Sequence, residues 1–226
     1  MNSTAAELPE AVVVETGQNP RNAVIWLHGL GADGHDFESV VPMLGLTESR
    51  PTRFVFPHAP VRPVTLNGGM PMRAWYDIIG MQFNRDQDED GIKNSAALVT
   101  ALIEREIGRG IPSERIVLAG FSQGGAIAVY LATRFPRRLA GIMALSTYLL
   151  FEDRLEVEQA DANLATPVFV GHGTHDPMVP VAMGQALADR LAELSYPVEF
   201  RRYPIPHSVS ADEIGDIGRW LRARLD

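Results

Sequence analysis

Apolar positions along the chain come in two rhythms that alternate. Ala23–Leu27, Phe54–Phe56, Ile116–Ala119, Gly141–Ser146 and Pro167–Val170 are short, nearly continuous apolar runs bounded by glycine, proline and polar turn residues. Runs of this length and kind suit strands covered on both faces, as in a parallel sheet. Ala11–Glu15 is a shorter β-branched run suited to an edge strand, and Val198–Tyr203 reads as a last strand. Between the runs, apolar residues recur at helical spacing. Phe37, Val40, Val41 and Leu44 predict a helix over 36–45; Ile92, Ala96, Val99, Ile103 and Ile107 predict a long amphipathic one ended by Gly108 and Gly110. Ala126–Phe135, stopped by Pro136, and Met183, Leu187, Leu191 and Leu194 predict two more. Ile214, Ile217, Leu221 and Leu225 complete a final helix, with Ser210 and Glu213 spaced as a capping box.

Strand alternating with helix implies an α/β fold: a mostly parallel central sheet with helices on both faces. Ligands of such sheets bind beyond the C-terminal strand ends. Val61–Asp77, with Asn67-Gly68-Gly69 at its centre, reads as a hairpin-like excursion, and Thr147–Ala165 as a longer irregular stretch. No repeat, low-complexity tract or linker interrupts the pattern. It predicts one domain over residues 9–226 behind a flexible tail at 1–8.

Bulk properties narrow the function classes. The 226 residues suit one large domain, and a formal net charge of −8 gives no electrostatic footprint for nucleic acid or an anionic membrane surface. The absence of cysteine excludes a disulfide framework, a thiolate metal site and a cysteine nucleophile. No apolar run reaches the length of a membrane span, and the N-terminal stretch lacks the basic and apolar regions of a secretory signal. We expect a protein of the cytoplasm with no stable membrane insertion.

The candidate chemistry centres on Val117-Leu118-Ala119-Gly120-Phe121-Ser122-Gln123-Gly124-Gly125-Ala126, a buried strand, a Gly-x-Ser-x-Gly turn and an alanine-rich helix. Such a nucleophile elbow holds its serine on a strained corner at the free N–H groups of a helix start. Alone, the motif also fits a glycine-rich turn with an incidental serine. A serine hydroxyl needs a base within reach and a carboxylate to orient that base. Ser122, Asp176 and His207 occur in the order serine, acid, histidine, each just past a predicted strand. His172 and His175 are rival bases, but they precede Asp176 on one loop; His58 reads as a packed loop histidine. Asp161 and Asp189 are rival acids that follow no strand directly. The glycine-rich His28-Gly29-Leu30-Gly31-Ala32-Asp33-Gly34 follows an early strand, where a second oxyanion donor belongs. The donors are then the backbone N–H groups of Leu30 and Gln123. This chemistry requires no metal and no cofactor.

Substrate contacts are less sharply marked. Trp75 fits either an aromatic patch closing the sheet or a wall of the acyl pocket. Tyr148, Leu149, Leu150 and Phe151 lie beyond a strand end, where they line a substrate site, form a lid over 147–165 or make a dimer contact. An acyl groove near Leu149–Phe151 and Phe83 would serve a protein substrate, whereas a small ester needs only a short pocket. The acidic Asp86, Asp88, Glu89 and Asp90 lack a calcium-loop pattern and suit a solvated face or a helix start.

Taken together, His28–Gly34, Arg73-Ala74-Trp75-Tyr76-Asp77, Gly120–Gly125, Gly171-His172-Gly173-Thr174-His175-Asp176-Pro177-Met178-Val179-Pro180 and Tyr203-Pro204-Ile205-Pro206-His207 resemble the acyl-protein thioesterase/carboxylesterase family, also called the phospholipase/carboxylesterase family. The resemblance spans nearly the whole chain and is nearer the small bacterial carboxylesterases than the animal enzymes, which often carry Cys-Trp where this chain has Thr147-Tyr148. It implies a compact α/β-hydrolase without a large cap domain, catalytic roles for Ser122, Asp176 and His207, and oxyanion donation by Leu30 and Gln123. It implies hydrolysis of small-molecule acyl esters of short to medium chain by a monomer or homodimer. Acylated proteins and lysophospholipids are the alternative substrates. Pro206 departs from relatives that often have glycine shortly before the histidine, and stiffens that approach.

Overall fold

The structure, a computed structural model, describes residues 8–80 and 87–225. Among the described residues nine strands form: β1 (Ala11–Glu15), β2 (Asn22–Leu27), β3 (Thr52–Pro57), β4 (Val61–Val64), β5 (Met70–Arg73), β6 (Ile116–Phe121), β7 (Gly141–Leu145), β8 (Val168–Gly173) and β9 (Val198–Tyr203). The α-helices among the described residues are α1 (Glu89–Gly108), α2 (Gln123–Arg134), α3 (Glu152–Glu158), α4 (Val181–Glu193) and α5 (Ala211–Arg222). Seven strands make one sheet in the order β1-β3-β2-β6-β7-β8-β9. Only β1 runs antiparallel to its neighbour; the other pairs are parallel. β4 and β5 pair separately as the expected hairpin. This is the α/β-hydrolase fold.

Apolar cores lie on both faces, as the continuous strand runs require. Ile25, Leu118 and Val170 pack with residues of α1, α2 and α4 on one face. Trp26, Phe54 and Phe169 pack with Ile217 and Leu221 of α5 on the other. The register sets Leu27 beside Gly120, Phe121 beside Leu145 and Gly173 beside Tyr203. The central strands therefore end nearly level, and the loops after β2, β6, β8 and β9 gather at one edge.

Four segments depart from the sequence pattern. The helix expected over 36–45 is a 3-10 helix at Glu38–Leu44 with Pro42 inside it; a proline there removes an amide that an α-helix needs. β8 runs on through Gly171-His172-Gly173, because His172 and Gly173 still pair with Arg202 and Tyr203. The stretch 147–165 is not irregular: it holds α3 and a 3-10 turn at Asp161–Asn163. Finally, only half of the capping box forms: the Ser210 hydroxyl accepts from the Glu213 amide at 3.1 Å, while the Glu213 carboxyl turns into the core. The acidic run starts α1, with the Asp88 side chain capping the Gly91 amide. No helix among the described residues is long and apolar enough to cross a membrane.

Candidate active site

The turn from β6 into α2 places Ser122 at φ 52°, ψ −121°. Few non-glycine residues adopt that conformation, and it persists only where the surroundings enforce it. Here they do. A Cβ at Gly120 would stand 2.3 Å from the Gly124 carbonyl oxygen, and one at Gly124 would stand 2.5 Å from the Leu27 and His28 oxygens. The corner is held by the Ser122 amide donating to Leu145 O at 2.8 Å and the Thr147 hydroxyl donating to Ser122 O at 2.6 Å.

His207, on the loop after β9, sets its Nε2 3.0 Å from Ser122 Oγ and its Nδ1 2.6 Å from Asp176 Oδ2. The carboxylate favours the tautomer with the proton on Nδ1, which leaves Nε2 free to accept from the serine. Asp176 is buried, and its other oxygen accepts from the amides of Met178 and Val179 at 2.9 and 2.8 Å. Serine, histidine and carboxylate thus form one hydrogen-bonded chain. The rivals sit elsewhere. His175 is exposed, and His58 accepts from the Gly34 amide. Asp189 bonds Gln185 on α4, and Asp161 opens a 3-10 turn. His172 is fully buried beside Asp176, with Nε2 3.7 Å from the Oδ2 that His207 bonds and 2.8 Å from Val179 O.

The amides of Leu30 and Gln123 make no hydrogen bond to another described residue, and both residues line the cavity at Ser122. Two free N–H groups beside a nucleophile suit an oxyanion. Their bracing was not visible in the sequence. His28, whose pKa burial lowers, accepts the Ala59 amide at Nε2 and bonds Gly29 O through Nδ1, pinning the glycine loop to β3's end. The Gln123 side chain accepts from the Trp75 amide at 2.9 Å and donates to Tyr76 O at 2.8 Å. A polar residue at the end of an otherwise apolar buried run was the available signal for both.

The cavity measures about 200 Å³ and is walled mainly by Leu66, Ile78, Phe121, Tyr148, Met178 and Val179. Tyr148 lines this cavity. Its hydroxyl lies 2.5 Å from that of Tyr76, and burial pushes its pKa up to about 12. Trp75 requires correction: it is fully buried behind the wall, with its indole N–H donating to His28 O at 2.9 Å, so it braces the glycine loop and does not line the cavity. Leu149 also faces the core and not the cavity. Phe83 lies outside the described residues. A larger hollow of about 720 Å³, lined by ion-paired Glu89, Arg154, Arg190 and Glu193 among others, shares no residue with this site.

The model of the phospholipase/carboxylesterase family matches residues 8–225. Acyl-protein thioesterase 1 of Neurospora crassa is 40% identical over 211 residues, covering 89% of this chain and 86% of that protein. Acyl-protein thioesterase 1 of Gibberella zeae is 39% identical over 211 residues, covering 89% and 90%. Among solved structures, Zea mays acyl-protein thioesterase 2 superposes with a TM-score of 0.84 at 29% identity, covering 96% of this chain and 100% of that one.

Proposed function

The chain belongs to the phospholipase/carboxylesterase family of hydrolases, and from that membership we propose that it is a serine thioesterase acting on S-acylated proteins or peptides. The observation that carries the catalytic part is the hydrogen-bonded chain from Ser122 Oγ through His207 to Asp176, at the mouth of an apolar cavity. His207 Nε2 takes the serine proton as Oγ attacks the acyl carbon, and Asp176 stabilises the resulting imidazolium. The tetrahedral oxyanion accepts from the Leu30 and Gln123 amides. His207 returns the proton to the departing thiol or alcohol, then activates the water that releases the acyl-enzyme at Ser122. No step needs a metal or cofactor.

Thioester and ester cleavage share every one of these groups. The sequence by itself led with small carboxylic esters. The fungal relatives at 39–40% identity, each named acyl-protein thioesterase 1, favour the thioester. The cavity of about 200 Å³ falls below the roughly 300–1,000 Å³ of drug-sized ligand sites, which supports short to medium acyl groups. The setting we propose is a single domain in the cytoplasm.

Two substrate series with matched acyl chains, p-nitrophenyl esters and S-acyl cysteine peptides from acetyl to palmitoyl, test the reading in wild type and Ser122→Ala. We expect the thioester peptides to be the better substrates by kcat/KM, a peak at medium length, and a loss of at least about 10⁴-fold in the variant. Activity retained by Ser122→Ala overturns the triad. Preference for esters at every length returns the carboxylesterase reading.

A further inference from the structure

Among the described residues lining the catalytic cavity, Asp36 is the one Asp, Glu, Lys or Arg. It follows the glycine loop, with its amide on Asp33 O at 3.2 Å. Its carboxylate makes no hydrogen bond and no ion pair with another described residue. The neighbouring charges are already engaged. Asp33 accepts from the His35 amide at 2.8 Å, and the exposed His35 ring pairs with Glu38 at 2.8 Å. Asp36 is exposed to solvent where it lines the cavity, and partial desolvation and the Asp33 charge both raise its pKa.

An acyl hydrocarbon cannot usefully lie against such a group, because covering an unpaired charge with carbon strips its water without replacement. The acyl chain belongs against the apolar walls of Leu66, Ile78, Met178 and Val179. The exposed Asp36 carboxylate is then left to face the group to which the acyl is attached.

We propose that Asp36 selects the leaving group by charge: it favours an acylated cysteine flanked by basic residues and disfavours leaving groups that carry carboxylate or phosphate beside the scissile bond. The assignment rests on the hydrolase reading of Ser122 and narrows its substrate class. A formal net charge of −8 acts in the same direction at longer range. Coulomb attraction at the dielectric of a protein surface, moderated by salt, gives discrimination of about three- to tenfold per charge.

The test uses three S-octanoyl cysteine peptides that differ only in flanking residues: lysine, glutamine or glutamate. The readout is kcat/KM relative to the glutamine peptide, for wild type, Asp36→Asn and Asp36→Lys. Wild type should rank lysine over glutamine over glutamate. Asp36→Asn should compress that ranking by about three- to tenfold, and Asp36→Lys should invert it. Octanoyl phenyl esters bearing trimethylammonio, nitro or sulfonato groups repeat the charge series on oxygen. An enzyme that cleaves these esters but no thioester peptide sinks the thioesterase reading and still reports on Asp36. Wild type without a charge ranking, or Asp36→Asn with the wild-type ranking, overturns the proposal and leaves the hydrolase reading standing.

Discussion

Two histidines face the same carboxylate oxygen, and only one of them can take a proton from a serine. His207 Nδ1 lies 2.6 Å from Asp176 Oδ2, and His172 Nε2 lies 3.7 Å from it. Burial lowers the His172 pKa, and the Val179 carbonyl at 2.8 Å assigns the His172 proton to Nε2. Its Nδ1 has no hydrogen-bond partner among the described residues and faces Gly184, where a Cβ would stand 2.1 Å away. His172 therefore acts as a tether: it holds Val179, whose amide and that of Met178 hold Asp176 Oδ1. His172→Leu leaves a buried carbonyl without a donor, at a cost of about 1–3 kcal/mol in stability. We expect a lower Tm and a kcat reduced about tenfold or more with KM nearly unchanged, since the tether touches the acid and not the substrate. His172→Gln, whose amide N–H can reach Val179 O, should recover part of both. Equal kcat in wild type and His172→Leu at a temperature where both are folded would remove the tether from the catalytic account.

At the scale of elements, α5 carries an ionisable group in the wrong place for its charge. Glu213 sits fully buried over Gly171 of β8, neither carboxyl oxygen has a hydrogen-bond partner among the described residues, and burial raises its pKa to about 8. The Tyr203 phenol of β9 lies near enough to feel its charge, and that hydroxyl donates to Asp216 at 2.9 Å. Below the unfolded pKa near 4.5, Glu213 is protonated in both states and contributes nothing to pH dependence. As pH rises from about 4.5 to 8 the unfolded chain gives up this proton first, so stability falls across that window and levels off above it. Glu213→Gln keeps the shape and removes the ionisation. Its Tm, measured between pH 5 and 8.5, should fall less than that of wild type; parallel curves would refute the assignment. The sequence pattern had offered Glu213 as the returning half of a capping box, since spacing shows a residue's offset from Ser210 but not the direction of its side chain. The same limit explains the other misses. Strands β2, β3, β6 and β7 were legible because burial on both faces demands an unbroken apolar run. α3 was not, because Leu155 is its one buried residue and the stretch is fastened through Asn163, whose amide donates to Phe135 O and Arg137 O. Trp75 looked like a pocket wall because an aromatic near a motif reads the same whether it faces the cavity or braces the loop behind it.

For the molecule as a whole, the parallel sheet turns distance in sequence into proximity at one edge. Ser122 and His207 are 85 positions apart, and Asp176 and His207 are 31 apart, yet each follows a strand that ends level with its neighbours. Motif order made that convergence legible before any coordinates, because strand ends are where an α/β sheet assembles ligand sites. The molecular field was legible only as a sum. A net charge of −8 states the sign of the long-range attraction for a cationic peptide, but not that the exposed Asp36 carboxylate lines the cavity. Salt separates the two contributions. The Debye length shrinks from about 30 Å at 0.01 M to about 3 Å at 1 M, so the field of distant surface charges vanishes while a carboxylate in contact with the bound peptide is screened less. For the lysine-flanked S-octanoyl peptide, kcat/KM should fall steeply over that range, in wild type and Asp36→Asn alike, and the glutamine-flanked peptide should change little. At the high-salt end wild type should keep a residual preference for lysine that Asp36→Asn has lost. If the residual is the same in both proteins, the selectivity belongs to the surface as a whole and not to the cavity.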